Sequence, residues 1–378
     1  MKALVYSDKS LERYAGRFVW LSINTESAES AAFLEQYPIP ALPTLLVLDA
    51  KKNSVATRYV GGATVPQLEK LLDDAERAHR SRWEAQADRL LAEADQFASE
   101  GRHAEAAKAY DSAIASAPGR WSRLGRTAES LVFSLSLTGE NERCATRALA
   151  LYPRVRGTVS SANVAATGLS CATGLDESHA KRASLLGSLE KATREVFDNP
   201  KVVISDDDRS GLYIALISAR DAAGDEEGVV ALQTKWAAFL DDAASRATSP
   251  AERTIYDSHR LTAYLELGQP EKTISFLEQS ERDFPDDYNP PARLALAYLA
   301  MKDYDKALAA SDRALVHVYG PRKLTVLAAR ADIFAAKGDP KAARDTIVQA
   351  IEHAKSLPEG QRSPRRIATL EKKLASMP

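Results

Sequence analysis

From Ala292 to Val316 the sequence ARLALAYLAMKDYDKALAASDRALV alternates apolar and polar positions with a helical period that breaks once, at Lys302-Asp303-Tyr304. Ala295, Tyr298, Ala307 and Ala314 place small and aromatic residues where two antiparallel helices can approach closely, so the stretch predicts a helical hairpin. The same order returns in Ala331, Phe334, Gly338, Ala343 and Ala350. An early copy runs through Leu90, Ala94 and Phe97, turns at Gly101 and His103, continues through Ala106, Tyr110 and Ala113, and stops at Pro118. Looser copies use Val132, Leu135, Gly139, Cys144 and Ala148 up to Pro153, then Tyr213, Ile217, Gly224, Val229 and Trp236, then Leu261, Tyr264, Gly268, Thr273, Leu277 and Pro285. Between them, residues 157–175 are rich in small residues and poor in charge, and residues 178–197 are amphipathic, which predicts an irregular helical pair. Ser205 caps the helix that follows, with Asp206, Asp207 and Asp208 in its first turn. Ser363 to Met377, with Ile367, Leu370 and Leu374 among basic residues, predicts a polar-faced helix that closes the array.

The recurring hairpins, with a period near ~34 residues, resemble tetratricopeptide repeats. That resemblance implies a groove that binds an extended peptide or a partner helix, so a protein or peptide is the expected partner. Family members that grip a chaperone tail hold its carboxylate with a Lys and an Asn on the first helix of the first repeat. The matching positions here are Leu91 and Asp95, so that clamp is not expected.

The first 80 residues follow a different rhythm. FVWLSIN, residues 18–24, alternates like a strand, and Ala31, Phe33, Leu34 and Tyr37 predict a helix over Ser30–Tyr37 that Pro38 and Pro40 stop. Thr44–Asp49 reads as a strand buried on both faces, Lys51-Lys52-Asn53 as a turn, and Ser54–Val60 as an alternating strand ending at Gly61-Gly62. Thr64 caps a helix with Pro66 in its first turn and Leu68, Leu71, Leu72 and Ala75 on its apolar face.

This order, with Ile39-Pro40-Ala41-Leu42-Pro43-Thr44 before the central strand, resembles the C-terminal two-thirds of a thioredoxin-fold domain. The resemblance implies that Pro43 is cis and that Pro43 and Leu42 are substrate-binding residues. The family's first strand and Cys-x-x-Cys are missing, and Met1 to Tyr6 looks like the middle of the helix that carries those cysteines. Two explanations stay open: the cysteines lie upstream of Met1, or the domain is a redox-inactive remnant kept for packing or binding. Either leaves a sheet edge and an apolar groove uncovered, and so predicts reduced stability. Glu76 to Glu93, without proline or glycine, predicts one continuous helix into the repeats.

Charge and chemistry add mostly exclusions. The 50 basic and 52 acidic residues are interspersed, which gives no footprint for nucleic acid or an anionic membrane. No run approaches ~18 apolar residues and the start lacks a signal-peptide core, so the chain as written reads as cytoplasmic, or periplasmic if the natural start lies upstream. Cys144 and Cys171 are too few for a disulfide framework and read as buried small hydrophobes. His79, His103, His179, His259, His317 and His353 are scattered without metal-ligand spacing, and no phosphate loop, Gly-x-Ser-x-Gly or His-Glu-x-x-His occurs, so neither metal nor cofactor is expected. Arg362, Arg365 and Arg366 read as a solvated basic tail.

The expected architecture is therefore mainly α: a partial thioredoxin-like α/β domain (1–80), an α-solenoid of tetratricopeptide-like repeats (81–156 and 209–362) around the irregular pair (157–208), and a capping helix (363–378). The expected function is a protein-interaction scaffold without a catalytic residue. The alternative is a thiol-disulfide oxidoreductase whose cysteines precede Met1 and whose repeats recruit the client.

Overall fold

The computed structural model describes residues 5–80 and 86–377. A 3-10 turn at Lys9–Tyr14 and another at Ala28–Ser30 precede helix α1 (Ala31–Gln36). Strands β1 (Thr44–Asp49) and β2 (Ser54–Val60) and helix α2 (Val65–His79) follow. Next come α3 (Gln86–Ser99), α4 (His103–Ala115), α5 (Leu124–Leu137), α6 (Asn141–Val155), α7 (Ser160–Thr173), α8 (Arg182–Phe197), α9 (Asp206–Asp221) and α10 (Glu226–Ser245). The remainder is α11 (Pro250–Arg253), α12 (Asp257–Glu266), α13 (Ile274–Asp283), α14 (Asn289–Ala300), α15 (Tyr304–His317), α16 (Lys323–Lys337), α17 (Pro340–Ser356) and α18 (Pro364–Ala375). None of the described helices is long and apolar enough to cross a membrane. The chain divides into two compact units, Met1–Phe18 with Tyr37–Gln233 and Val19–Gln36 with Thr234–Pro378.

In the first unit β1 and β2 pair antiparallel, Thr44 opposite Val60 and Asp49 opposite Ser54, with an irregularity between Val47 and Leu48. Helix α2 covers them. Its Leu68 and Leu72 pack with Val5, Leu11 and Tyr14, and its Leu71 packs with Tyr59 and Ala63. The predicted cap forms as a reciprocal box: the Gln67 N–H donates to Thr64 Oγ1 and the Thr64 N–H donates to Gln67 Oε1, at 3.4 and 2.8 Å.

Three expectations for this region change. The strand expected over residues 18–24 does not form; the segment has no regular structure, and Val19 and Leu21 are 88% and 78% exposed. Alternation is a local signal, whereas a strand needs a neighbouring backbone, and residues 19–36 belong to the second unit instead. Strand β1 is half-buried rather than covered on both faces, with Leu48 exposed. Among the described residues the result is a two-stranded sheet with α2 and α3 against it, which falls short of a thioredoxin-like α/β domain. Helix α2 ends at His79 and α3 begins at Gln86; residues 81–85, on which the expected continuous helix depends, lie outside the described residues, as do Met1–Leu4.

The helical hairpins share one turn. The residue that ends the first helix is left-handed at Gly101, Gly139, Gly224, Gly268, Lys302 and Gly338. The next N–H then donates to the carbonyl five residues back: Arg102 to Phe97, Glu140 to Leu135, Asp225 to Arg220, Gln269 to Tyr264, Asp303 to Tyr298 and Asp339 to Phe334, at 2.8–3.2 Å. This is the six-to-one closure that satisfies the last carbonyls of a helix. At Asp303 and Asp339 the same residue then caps the second helix, accepting from the N–H of Lys306 and of Ala342. Lys302, with φ 62°, is the departure from glycine in this set. A left-handed non-glycine residue costs about 1–2 kcal/mol, partly offset by the chain entropy a glycine would lose, so Lys302→Gly is expected to raise stability by about 0.5–1 kcal/mol. Urea denaturation measures it, and a lowered midpoint would contradict the reading.

The two helices of each hairpin pack directly on one another, α3 on α4, α14 on α15 and α16 on α17. In the second unit Leu324, Leu327 and Ala331 of α16 pack against Ile347, Ala350 and Ile351 of α17 and Leu370 of α18. Ile367 and Leu374 extend that contact, as expected of a closing helix. In the first unit the small-residue run becomes α7, which packs against α6, α8 and α9. A Cβ at its Gly168 would collide with that of Ala148, so the approach of α6 and α7 requires glycine there.

The cysteine reading needs correction. Cys144 and Cys171 are both buried, but they form a disulfide that staples α6 to α7. Antiparallel packing brings together residues equally far from the turn, and Cys144 lies 13 residues before Gly157 as Cys171 lies 13 after Thr158.

Candidate functional site

The site residues expected from sequence lie where β1 begins. The Leu42-Pro43 peptide is cis, the Pro43 carbonyl accepts from the Gly61 N–H at 2.9 Å, and Thr44 Oγ1 donates to the Ala41 carbonyl at 2.7 Å. Leu42 is 55% exposed. Residues 39–44 present apolar side chains and one hydroxyl, so this loop supplies no acid, base or thiol.

A cavity of about 320 Å³ in the same unit went unnoticed in the sequence. Tyr59 of β2, Lys70 and Asp74 of α2, the turn before α5, and Arg126 and Glu129 of α5 line it. Its wall is a buried charge network. Arg123 pairs with Asp74 at 3.2 Å and with Asp88, whose carboxylate also accepts from Trp121 Nε1 at 2.8 Å. Deeper, Asp95 accepts from Arg126 Nη1 at 2.7 Å, from Tyr110 Oη at 2.8 Å and from the Arg58 N–H at 3.2 Å. Burial works to lower the pKa of Arg126, but the Asp95 carboxylate outweighs it, and burial holds Arg58 below its ordinary value. Leu91 and Asp95, the positions compared with the chaperone-tail clamp, are thus both buried.

Glu129 is the chemically poised group. Burial raises its pKa to about 7, the Ser160 hydroxyl and Asn163 amide pull it down, and Asp208 pushes it up. Asp208 itself rises to about 6 through burial, against its hydrogen bond from Ser205. The Asn163 amide donates to Glu129 at 3.4 Å. Ser205 caps α9 as predicted, but Asp208 is buried, which the reading of the acidic triplet as a helix start did not include. Near neutrality Glu129 can therefore hold or release a proton at the cavity wall.

The sign of its effect on stability follows. Both carboxyls bind protons more tightly folded than unfolded, so their stabilising contribution is complete below the unfolded values near 4 and is lost as pH rises through about 6 for Asp208 and about 7 for Glu129. His103, whose pKa burial lowers, acts in the opposite sense below its ordinary value. Comparison with Glu129→Gln isolates the carboxyl. The variant is expected to match the wild type near pH 5 and to exceed it by about 2 kcal/mol at pH 8. Parallel stability curves from pH 5 to 8 would contradict the assignment.

In the second unit, residues Asn24–Gln36 lie along the starts of α14, α16 and α18. Tyr288 precedes α14, Arg322 precedes α16, and Gln361 lies three residues before α18. Tyr288 Oη and Arg322 Nε donate to Glu26 Oε1 at 2.9 and 3.2 Å. Gln361 Nε2 donates to the carbonyls of Thr25 and Ser27 at 3.0 and 2.8 Å, and Asn24 Nδ2 donates to Tyr319 Oη at 2.7 Å. A Cβ at Gly320 would collide with the Glu26 carbonyl, and one at Gly360 with that of Ala31. Leu34 of α1 is buried as well, and with Arg322 half exposed the Glu26 ion pair itself contributes no more than about 1 kcal/mol. Nearby, Arg362 donates to the Leu357 carbonyl at the end of α17 and Arg366 to Thr325 Oγ1, so these two are not the free tail expected.

No family model matches the chain, and no curated protein matches it. Among solved structures it is similar to a tetratricopeptide repeat protein from Parabacteroides merdae, at 11% identity and TM-score 0.48, over 77% of this chain and 99% of that one. It is also similar to the TPR2AB domain of yeast Sti1 in complex with pHSP90, at 15% identity and TM-score 0.29, over 77% and 98%. A third is yeast Tom70, at 12% identity and TM-score 0.22, over 82% and 89%.

Proposed function

We propose that this chain is a protein-interaction scaffold whose helical hairpins hold a segment of another polypeptide. The observation that supports it is the grip on residues 24–31: a side-chain amide reads two main-chain carbonyls, and two glycines let backbone approach backbone. Short acidic, basic and neutral peptides, titrated into the purified chain and into its Glu26→Lys variant with anisotropy readout, test it. Saturable one-to-one binding of one class is expected; no binding of any class to either chain up to about 1 mM, an affinity worth about 4 kcal/mol, overturns it.

The competing reading from sequence is a thiol-disulfide oxidoreductase. On the scaffold reading, the chain reduces insulin disulfides with dithiothreitol no faster than background; turnover above background would favour the oxidoreductase. The buried disulfide supports an oxidising compartment for either function.

A further inference from the structure

We propose that the edge formed by Tyr288, Gly320, Arg322 and Gln361 is a docking site for an acidic segment of a partner protein, and that Asn24–Gln36 is a resident stand-in which that partner displaces. The inference rests on the scaffold reading and names the partner's chemistry.

Three observations carry it. The contacts come from matching places, the approaches to α14 and α16 of successive hairpins and to the closing helix α18, so a chain running along this edge meets three helix starts, each with a partial positive charge. The resident segment is complementary in charge: residues 24–36 contain Glu26, Glu29 and Glu35 and no basic residue, and Arg322 receives Glu26. Part of the grip is on backbone, through Gln361 and the two glycines, and that part does not depend on the resident side chains. The stand-in is also tethered at both ends by stretches without regular structure, residues 19–24 and 37–43, so it can leave without unfolding a helix of the hairpins.

A labelled peptide of residues 22–36 is the probe, added to the full chain. In the wild type the tethered copy competes at an effective concentration of about millimolar, so Glu26→Lys, which sets a lysine against Arg322, is expected to tighten binding of the added peptide about tenfold or more. Adding Arg322→Glu to that variant is expected to abolish the gain, and a peptide carrying Glu26→Lys is expected to recover binding to the Arg322→Glu chain. Arg322→Gln, a milder change at a half-exposed side chain, repeats the loss without charge reversal. An unchanged affinity in Glu26→Lys, or a gain that survives Arg322→Glu, overturns the site; if other peptides still bind, the scaffold reading stands without it. If no peptide of any class binds, both fall. A wild-type dimer that Arg322→Glu dissociates would make the occupant a second copy and overturn the partner assignment.

Discussion

Asp95→Ala is expected to lower the stability of the chain by about 3–5 kcal/mol, the cost of leaving a buried cation without its partner. The carboxylate serves three donors at once, from Arg126, Tyr110 and the Arg58 backbone, and so joins β2, α4 and α5 through α3. Its removal strands the Arg126 guanidinium in a site from which water is largely excluded. It also deepens the strain on Arg58, whose buried Nε and Nη2 already lack hydrogen-bond partners. Tyr110→Phe removes one neutral donor and leaves the ion pair, so it should cost only about 1 kcal/mol. Denaturant melts of the two variants give the comparison, and equal losses would show that the ion pair is not what makes the site expensive.

Opening the Cys144–Cys171 bond should be nearly as costly. The bond closes a loop of 27 residues, and the entropy it removes from the unfolded chain corresponds to about 3 kcal/mol. Because either substitution breaks the link, Cys144→Ala, Cys171→Ala and the double variant should lose similar amounts, apart from the small cavity each creates. A single variant that retains wild-type stability would place the anchoring of α7 in its small-residue packing against α6, α8 and α9 instead.

The parts of this fold legible in the sequence are those fixed by short-range chemistry. Glycine at Gly101, Gly139, Gly224, Gly268 and Gly338 marks a left-handed backbone that other residues resist, so the hairpins could be placed from one chain alone. Thr64 and Ser205 announce their helices through the hydroxyls that cap them. Where a partner distant in the chain decides the outcome, local pattern misleads. The alternation of residues 18–24 has the form of a strand, but nothing local says whether a neighbour will pair with it. The two cysteines are symmetric about Gly157-Thr158, a signal visible only once α6 and α7 are known to pack antiparallel. The cis Leu42-Pro43 bond was legible in the sequence. Glu129 was not: it stands in sequence as one polar residue beside Ala128, Leu131 and Val132, and only the fold shows that its carboxyl is buried with them.

The run Val19–Ile23, which has no regular structure, also bears on how the protein behaves at high concentration. It is β-prone, carries no charge, and holds Val19, Trp20, Leu21 and Ile23 toward solvent, while β1 pairs on one side only. Each is a template on which a second molecule could add a strand, and neither has a lysine or proline within it to block that addition. Self-association into intermolecular sheet, seeded at these two places, would then set the solubility of the chain, and a single charge at Val19 or Leu21 would act as a gatekeeper without touching the hairpins.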